Sequence, residues 1–108
     1  MTVDGLAAMD QLASAIRELE RQIPREINWS LQVDGHTDIR PINTPEIPSN
    51  WELSTARAIS VVRYMISRAV PPRRLVAAGY GEFAPLVRGN DSDSLRKNRR
   101  IELKLTNR

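Results

Sequence analysis

Gly35-His36-Thr37-Asp38 and Asn50-Trp51-Glu52-Leu53-Ser54-Thr55-Ala56-Arg57-Ala58, with a proline-rich gap between them, are the stretches around which the chain is organised. Ahead of the first, Ile27, Trp29, Leu31 and Val33 alternate with Asn28, Ser30, Gln32 and Asp34. That two-residue period predicts a strand with one face buried and the other wet or partly covered. Gly35 breaks the alternation, and the chain enters the Gly35–Asp38 motif, which ends the strand. The second stretch opens a helix. Ser49-Asn50-Trp51-Glu52 has the form of a capping box, in which Ser49 caps the Glu52 N–H and Glu52 returns to the Ser49 N–H. The helix is expected to run to about Ala69, with Leu53, Ala56, Ile59, Val62, Ile66 and Ala69 as its apolar stripe, and Pro71-Pro72 ends it.

Before the first stretch, Met9, Leu12, Ile16, Leu19 and Ile23 fall at three- and four-residue steps, which predicts a helix from about Gly5 to Ile23. Asp10, Gln11, Arg17, Glu18 and Arg21 take its other face, Asp4 is its expected N-cap, and Pro24 stops it. Residues 39–48 hold Pro41, Pro45 and Pro48 without periodicity and read as a stiff loop. Leu75 to Tyr80 predicts a short apolar strand, Ser92 to Lys97 a short helical turn, and Arg100 to Thr106 a last strand alternating Ile101, Leu103 and Leu105 with Glu102, Lys104 and Thr106. The order α-β-α-β-(α)-β argues for helices packed on a sheet. Three strands make a thin sheet. A strand ahead of Met1 would complete it, and its absence would leave an edge exposed.

With 108 residues the chain is one domain, residues 1–108, large enough for a modest core. Its net charge of +3 is mild and compatible with a polyanionic partner without requiring one. The lack of cysteine excludes disulfides and thiolate chemistry but leaves the compartment open. No run of about 20 apolar residues could span a membrane, and no signal peptide is visible. Met1-Thr2 followed directly by a helix reads as the start of an excised piece, with any targeting or membrane segment upstream.

Catalytic constellations are poorly served. His36 is the single histidine, flanked by Asp34 and Asp38, and no nucleophile-elbow pattern surrounds Ser30, Ser49 or Ser54. A metal site from Asp34, His36 and Asp38 has too few soft ligands for zinc and lacks calcium-loop spacing. His36 is expected instead to hydrogen-bond the backbone of a turn. Arg96, Lys97, Arg99 and Arg100 form a basic cluster, but none of the five Trp, Tyr and Phe residues interleaves with it, so nucleic acid is not the expected partner. Asp38 and Arg57 are different. One lies at a strand end and the other early in the next helix, whose N-terminal N–H groups favour an anion. A carboxylate could bridge those N–H groups and the Arg57 fork while Asp38 takes an ammonium. Such a site would read a zwitterionic amino-acid head group.

Gly35-His36-Thr37-Asp38 after an alternating strand resembles the peptidoglycan-binding domain shared by the outer-membrane protein OmpA, the peptidoglycan-associated lipoprotein and the flagellar stator protein MotB. So do Asn50-x-x-Leu53-Ser54-x-x-Arg57-Ala58, Gly79-Tyr80-Gly81 before Pro85, and Asn98-Arg99-Arg100-Ile101. The resemblance runs from about Leu6 to Thr106. It implies an α+β, β/α/β/α/β-β fold with two main helices packed on one mixed sheet, here with the N-terminal strand truncated. It implies noncatalytic, cofactor-free binding of peptidoglycan through the diaminopimelate of the peptide stem, gripped by Asp38 and Arg57. Thr37 and Leu53 are expected to line the same pocket, with Asn98 and Arg99 bracing it. The Pro41 to Pro48 insertion is longer than in OmpA and looks more like the stator-type, inner-membrane members. The implied setting is the periplasmic domain of a membrane-anchored envelope protein in a Gram-negative bacterium. The missing first strand would also let sheet edges pair between two copies. That suggests a second reading, a dimerisation or protein-interaction module without wall binding. A wall-cleaving enzyme is the third, and nothing in the sequence supplies its acid and base.

Overall fold

The computed structural model describes residues 3–107, with side chains from residue 5 onward. The N-cap expected at Asp4 lies outside the described side chains. In chain order the elements are α1 (Val3–Gln22), β1 (Trp29–His36), α2 (Asn50–Ser67), a 3-10 turn (Pro72–Arg74), β2 (Leu75–Gly79), α3 (Ser92–Asn98) and β3 (Arg100–Asn107). The three strands form one mixed sheet in the order β2-β1-β3, with β1 parallel to β2 and antiparallel to β3. This is the α+β arrangement implied by the motifs.

β1 is the central strand, and that position explains where it departs from expectation. It begins at Trp29, two residues later than expected, leaving Ile27 45% exposed, and it ends at His36, inside the Gly35–Asp38 motif expected to end it. Both of its faces are covered. Trp29, Leu31 and Val33 enter the core with Ala13 and Ile16 of α1 and Ala58, Val61 and Met65 of α2. On the other face Ser30 and Asp34, expected to be wet or partly covered, are buried beside side chains of the neighbouring strand β3. Ser30 Oγ lies 2.8 Å from Thr106 Oγ1, and Asp34 stands 3.0 Å from Lys104 Nζ while accepting from Gln32 Nε2 at 2.8 Å.

The buried face of α2 also differs from the expected stripe. Asn50, Ser54, Ala58, Val61 and Met65 are buried, while Ala56, Ile59, Ile66 and Ala69 are exposed and Leu53 and Val62 half-buried. The cause is the close approach of the helix to the sheet. A Cβ on Gly35 would come within 2.0 Å of the Ser54 carbonyl oxygen, and one on Gly79 within 2.0 Å of Thr55 Oγ1. Only small residues on the helix and glycine on the strands allow that contact, so the buried face begins with Asn50 and Ser54 rather than with aliphatic residues.

Both ends of α2 are capped. Ser49 Oγ accepts from Trp51 N at 3.1 Å and donates to the Glu52 carboxylate at 2.6 Å. This is a cap on a different N–H from the one expected, with the glutamate holding the hydroxyl instead of the Ser49 N–H. At the other end Ala69 takes φ +69°, Ala69 N donates to Ile66 O at 3.0 Å and Val70 N to Met65 O at 3.1 Å, a Schellman closure reached before Pro71.

α1 buries the face expected of it, with Met9, Leu12, Leu19 and Ile23 packed partly against the core beside Ala13 and Ile16. Near its C-terminal end Glu20 accepts from Arg74 Nε at 2.7 Å and also pairs with Arg73. β3 is an edge strand, and its Ile101, Leu103 and Leu105 are 36%, 38% and 57% exposed.

Candidate functional site

The carboxyl ends of the parallel strands β1 and β2 meet the first turns of α2. Several hydrogen bonds fix the chain there. Tyr80 N donates to Gly35 O at 3.0 Å and Thr37 N to Gly81 O at 2.9 Å, which continues the pairing past the end of β2. Ser54 Oγ accepts from Gly81 N at 2.9 Å. Asn50 Nδ2 reaches Arg40 O at 3.1 Å, Asp38 O at 3.4 Å and Glu82 Oε1 at 3.5 Å, so one buried amide ties the helix start to both loops. These bonds hold Asp38 at a set place just beyond β1.

Beside it opens a cleft of about 200 Å³. Thr37 and Asp38 form its floor, and Arg40, Pro41 and Ile42 one wall. Asn50, Leu53 and Arg57 of α2 form another, and Arg99 closes it. Five of the six residues singled out from the sequence therefore line one cavity. Asn98 stands outside it. Its buried amide accepts from Leu86 N at 2.8 Å and Val87 N at 3.1 Å and donates to Val87 O at 2.8 Å, pinning the loop before α3. These bonds tie residues 86–87 to the end of α3, next to Arg99.

Asp38 is almost wholly buried and is not free. Oδ1 accepts from Arg40 N at 2.9 Å; Oδ2 accepts from Arg40 Nη2 at 2.6 Å, Arg40 Nε at 3.1 Å and Arg99 Nη1 at 2.9 Å. The Arg40 fork, helped by Arg99 and opposed by burial, holds the Asp38 carboxyl down at about 2, so it is ionised at neutral pH. Arg40 is the residue that reading the sequence missed. The available signal was its place two residues after an aspartate, where the carboxylate closes an Asx turn onto the N–H. Arg57 is the opposite case: it makes no hydrogen bond or ion pair with any described residue. Three guanidinium groups against one carboxylate leave the cleft electropositive, with Arg57 free to bind an anion.

His36 does not hydrogen-bond a turn. It is the last residue of β1, buried, with its ring stacked on Tyr80 at 4.9 Å between centroids and 6° between planes. Neither ring nitrogen has a hydrogen-bond partner among the described residues, and Nε2 lies 3.9 Å from Glu102 Oε2. Burial, reinforced by Arg100, lowers its pKa, which favours neutral imidazole. Its neighbours on that face serve the sheet and not the cleft. Among the described residues, no three His, Asp or Glu side chains are grouped to hold a metal ion.

The result is an α+β domain with a basic cleft, lined by Asp38, at the end of its central strand. The OmpA family matches residues 5–99, and the chain belongs to that family. An uncharacterized protein of Bacillus subtilis, YtxE, is 40% identical over 95 residues, covering 87% of this chain and 38% of its own length. Motility protein B of B. subtilis is 30% identical over 112 residues, covering 95% and 43%. The peptidoglycan-associated lipoprotein of Pseudomonas aeruginosa is 40% identical over 72 residues, covering 67% and 40%. The chain thus spans about two fifths of the length of these relatives. In fold it is similar to the C-terminal domain of Helicobacter pylori MotB, with a TM-score of 0.83 at 24% identity over 98% of this chain and 76% of that one. No helix among the described residues is long and apolar enough to cross a membrane.

Proposed function

We propose that the domain binds peptidoglycan noncovalently, through the diaminopimelate of the peptide stem, and so anchors a membrane-attached envelope protein, with this part in the periplasm. The observation that carries the reading is the free Arg57 fork facing the Asp38–Arg99 pair across one cleft. Arg57 and Arg99 converge on a carboxylate, Asp38 offers the negative end for the neighbouring ammonium, and Thr37 and Leu53 pack the carbon chain between them. Arg40 already occupies the ammonium position on Asp38. Its side chain is exposed and has no other partner among the described residues, so it can swing out as the ligand enters, one charge-assisted contact replacing another. Nothing in this arrangement breaks a bond; the site holds its ligand.

The test is sedimentation with purified insoluble peptidoglycan. Wild type should pellet with the polymer, while folded Arg57→Ala and Asp38→Ala should stay in the supernatant. A folded wild type that stays in the supernatant would overturn the reading. It would favour instead an interaction module without wall binding, with a second copy as partner. One observation supports that alternative, the free edge of β3 with Ile101, Leu103 and Leu105 exposed beside it.

A further inference from the structure

Trp51 and Phe83 are large rings left in solvent, 50% and 64% exposed, although they stack on each other with centroids 5.0 Å apart and planes at 24°. Both lie over Gly81, at φ +62°, where a Cβ would come 3.3 Å from Phe83 Cδ2 and 3.5 Å from Trp51 Cδ2. The turn thus presents the aromatic pair as a fixed surface. A shallow groove runs from Trp51 along α2 past Glu52, Thr55 and Ile59. The Glu52 carboxylate is exposed; it accepts the single Ser49 hydroxyl proton and keeps lone pairs for other donors.

The pair is joined directly to the candidate cleft. Trp51 follows Asn50 and Phe83 follows Glu82, and Asn50 Nδ2 bonds Glu82 Oε1 behind them. At 100° per residue, Trp51 and Thr55 flank the buried Asn50–Ser54–Ala58 line on one side of α2, and Leu53 and Arg57 flank it on the other. The two surfaces are separated by the helix, about 10–12 Å across. From these positions we infer that the Trp51–Phe83 pair is a platform for the hexosamine of the glycan strand, an inference that rests on the peptidoglycan reading above. Diaminopimelate is third in the stem, so two residues and a lactyl ether separate it from its sugar, an extended reach of roughly 10 Å. A stem held at Asp38 and Arg57 that crosses the start of α2 delivers its sugar to Trp51. An aromatic face meets the C–H face of a pyranose, and Glu52 accepts from its hydroxyl or acetamido N–H.

Two probes separate the platform from the cleft: the free stem tripeptide ending in diaminopimelate, and the same tripeptide on its N-acetylated disaccharide. Trp29 is buried, so acrylamide quenching of indole emission reads Trp51. The disaccharide-tripeptide should bind wild type about fivefold tighter than the tripeptide and shield Trp51 from quenching, whereas the tripeptide alone should not shield it. Trp51→Ala should erase the difference between the two ligands while leaving tripeptide affinity unchanged, and Trp51→Tyr should restore part of it. Equal affinities in wild type, an unshielded Trp51, or equal weakening of both ligands by Trp51→Ala would each overturn the platform. In those cases tripeptide binding would leave the cleft reading standing. If neither probe binds folded wild type, both readings fall together.

Discussion

Arg74 and Arg57 sit toward opposite ends of the same parallel strands, and their surroundings could hardly differ more. Arg74 is 5% exposed. Its Nε donates to Glu20, its Nη1 donates to Trp29 O at 3.1 Å and Ile27 O at 3.3 Å, and its guanidinium lies 4.7 Å over the Trp29 ring. Arg57 is exposed and unpartnered among the described residues, yet it lines a cleft. At the amino end of the strands Nε and Nη1 of Arg74 are spent on the protein, joining α1, β1 and the turn before β2. At the carboxyl end Arg40 and Arg99 are paired with Asp38, and Arg57 alone of the cleft arginines is left without a partner among the described residues. A saturated arginine is a structural strut, and a free one beside a fixed carboxylate is available to a ligand.

The largest effect expected from this contrast is on stability. Arg74→Ala should cost about 3 kcal/mol in urea unfolding, because it strips a buried network and leaves the Glu20 carboxylate and the Trp29 carbonyl short of partners. A loss below about 1 kcal/mol would show that the strut is dispensable. Arg57→Ala should do the reverse. It should weaken binding by about 2 kcal/mol, the scale of hydrogen bonds to charged groups, and move the unfolding midpoint little. A matching loss of stability would place Arg57 among the struts.

Acid should erode the carboxyl end. Asp38 ionises in the folded protein at about 2 against 3.8 for the ordinary carboxyl, so the unfolded chain binds the proton first. Its stabilisation, about 2 kcal/mol, is complete above pH 3.8 and is lost as pH falls toward 2. The lowered pKa of His36 acts with the same sign from pH 6.5 downward, since the unfolded imidazole protonates first. Asp38→Asn should flatten the lower part of the pH–stability curve and leave the upper part in place. The smallest effect belongs to Arg40→Ala. The Arg40 guanidinium is exposed, and the backbone N–H at position 40 and Arg99 still hold the buried Asp38 carboxylate, so its loss should cost about 1 kcal/mol of stability, while ligand affinity should rise because a competitor for Asp38 has gone. Weaker binding would instead make Arg40 a ligand contact.

The contrast also marks what could be read from the chain. The elements were legible because α1, β1 and β3 carry clean periods, and the cleft was legible because Asp38 and Arg57 sit at element ends. The buried face of α2 was not. Its apolar count favours Leu53, Ile59 and Ile66, and only the tight approach of Gly35 and Gly79 selects Asn50, Ser54 and Ala58. The partners of Arg74 and Asp38 were hidden for different reasons. Glu20 is 54 residues from Arg74 in the chain, and Arg99 is 61 from Asp38, distances over which no local pattern extends. The burial of Ser30 and Asp34 follows from the central place of β1, which is a property of the sheet order.

That central place has a mechanical consequence. A tug applied at Asp38 enters β1 along its length. The strand is paired over five positions with β2 and over eight with β3, from Trp29 to His36. The pull therefore runs parallel to the strands and perpendicular to their hydrogen bonds, so many bonds must shear at once instead of opening one after another. Under tension, survival depends on the rate of rupture and not on equilibrium free energy. If Asp38 holds the ligand as proposed, an attachment point at the tip of the middle strand would distribute force over the whole sheet.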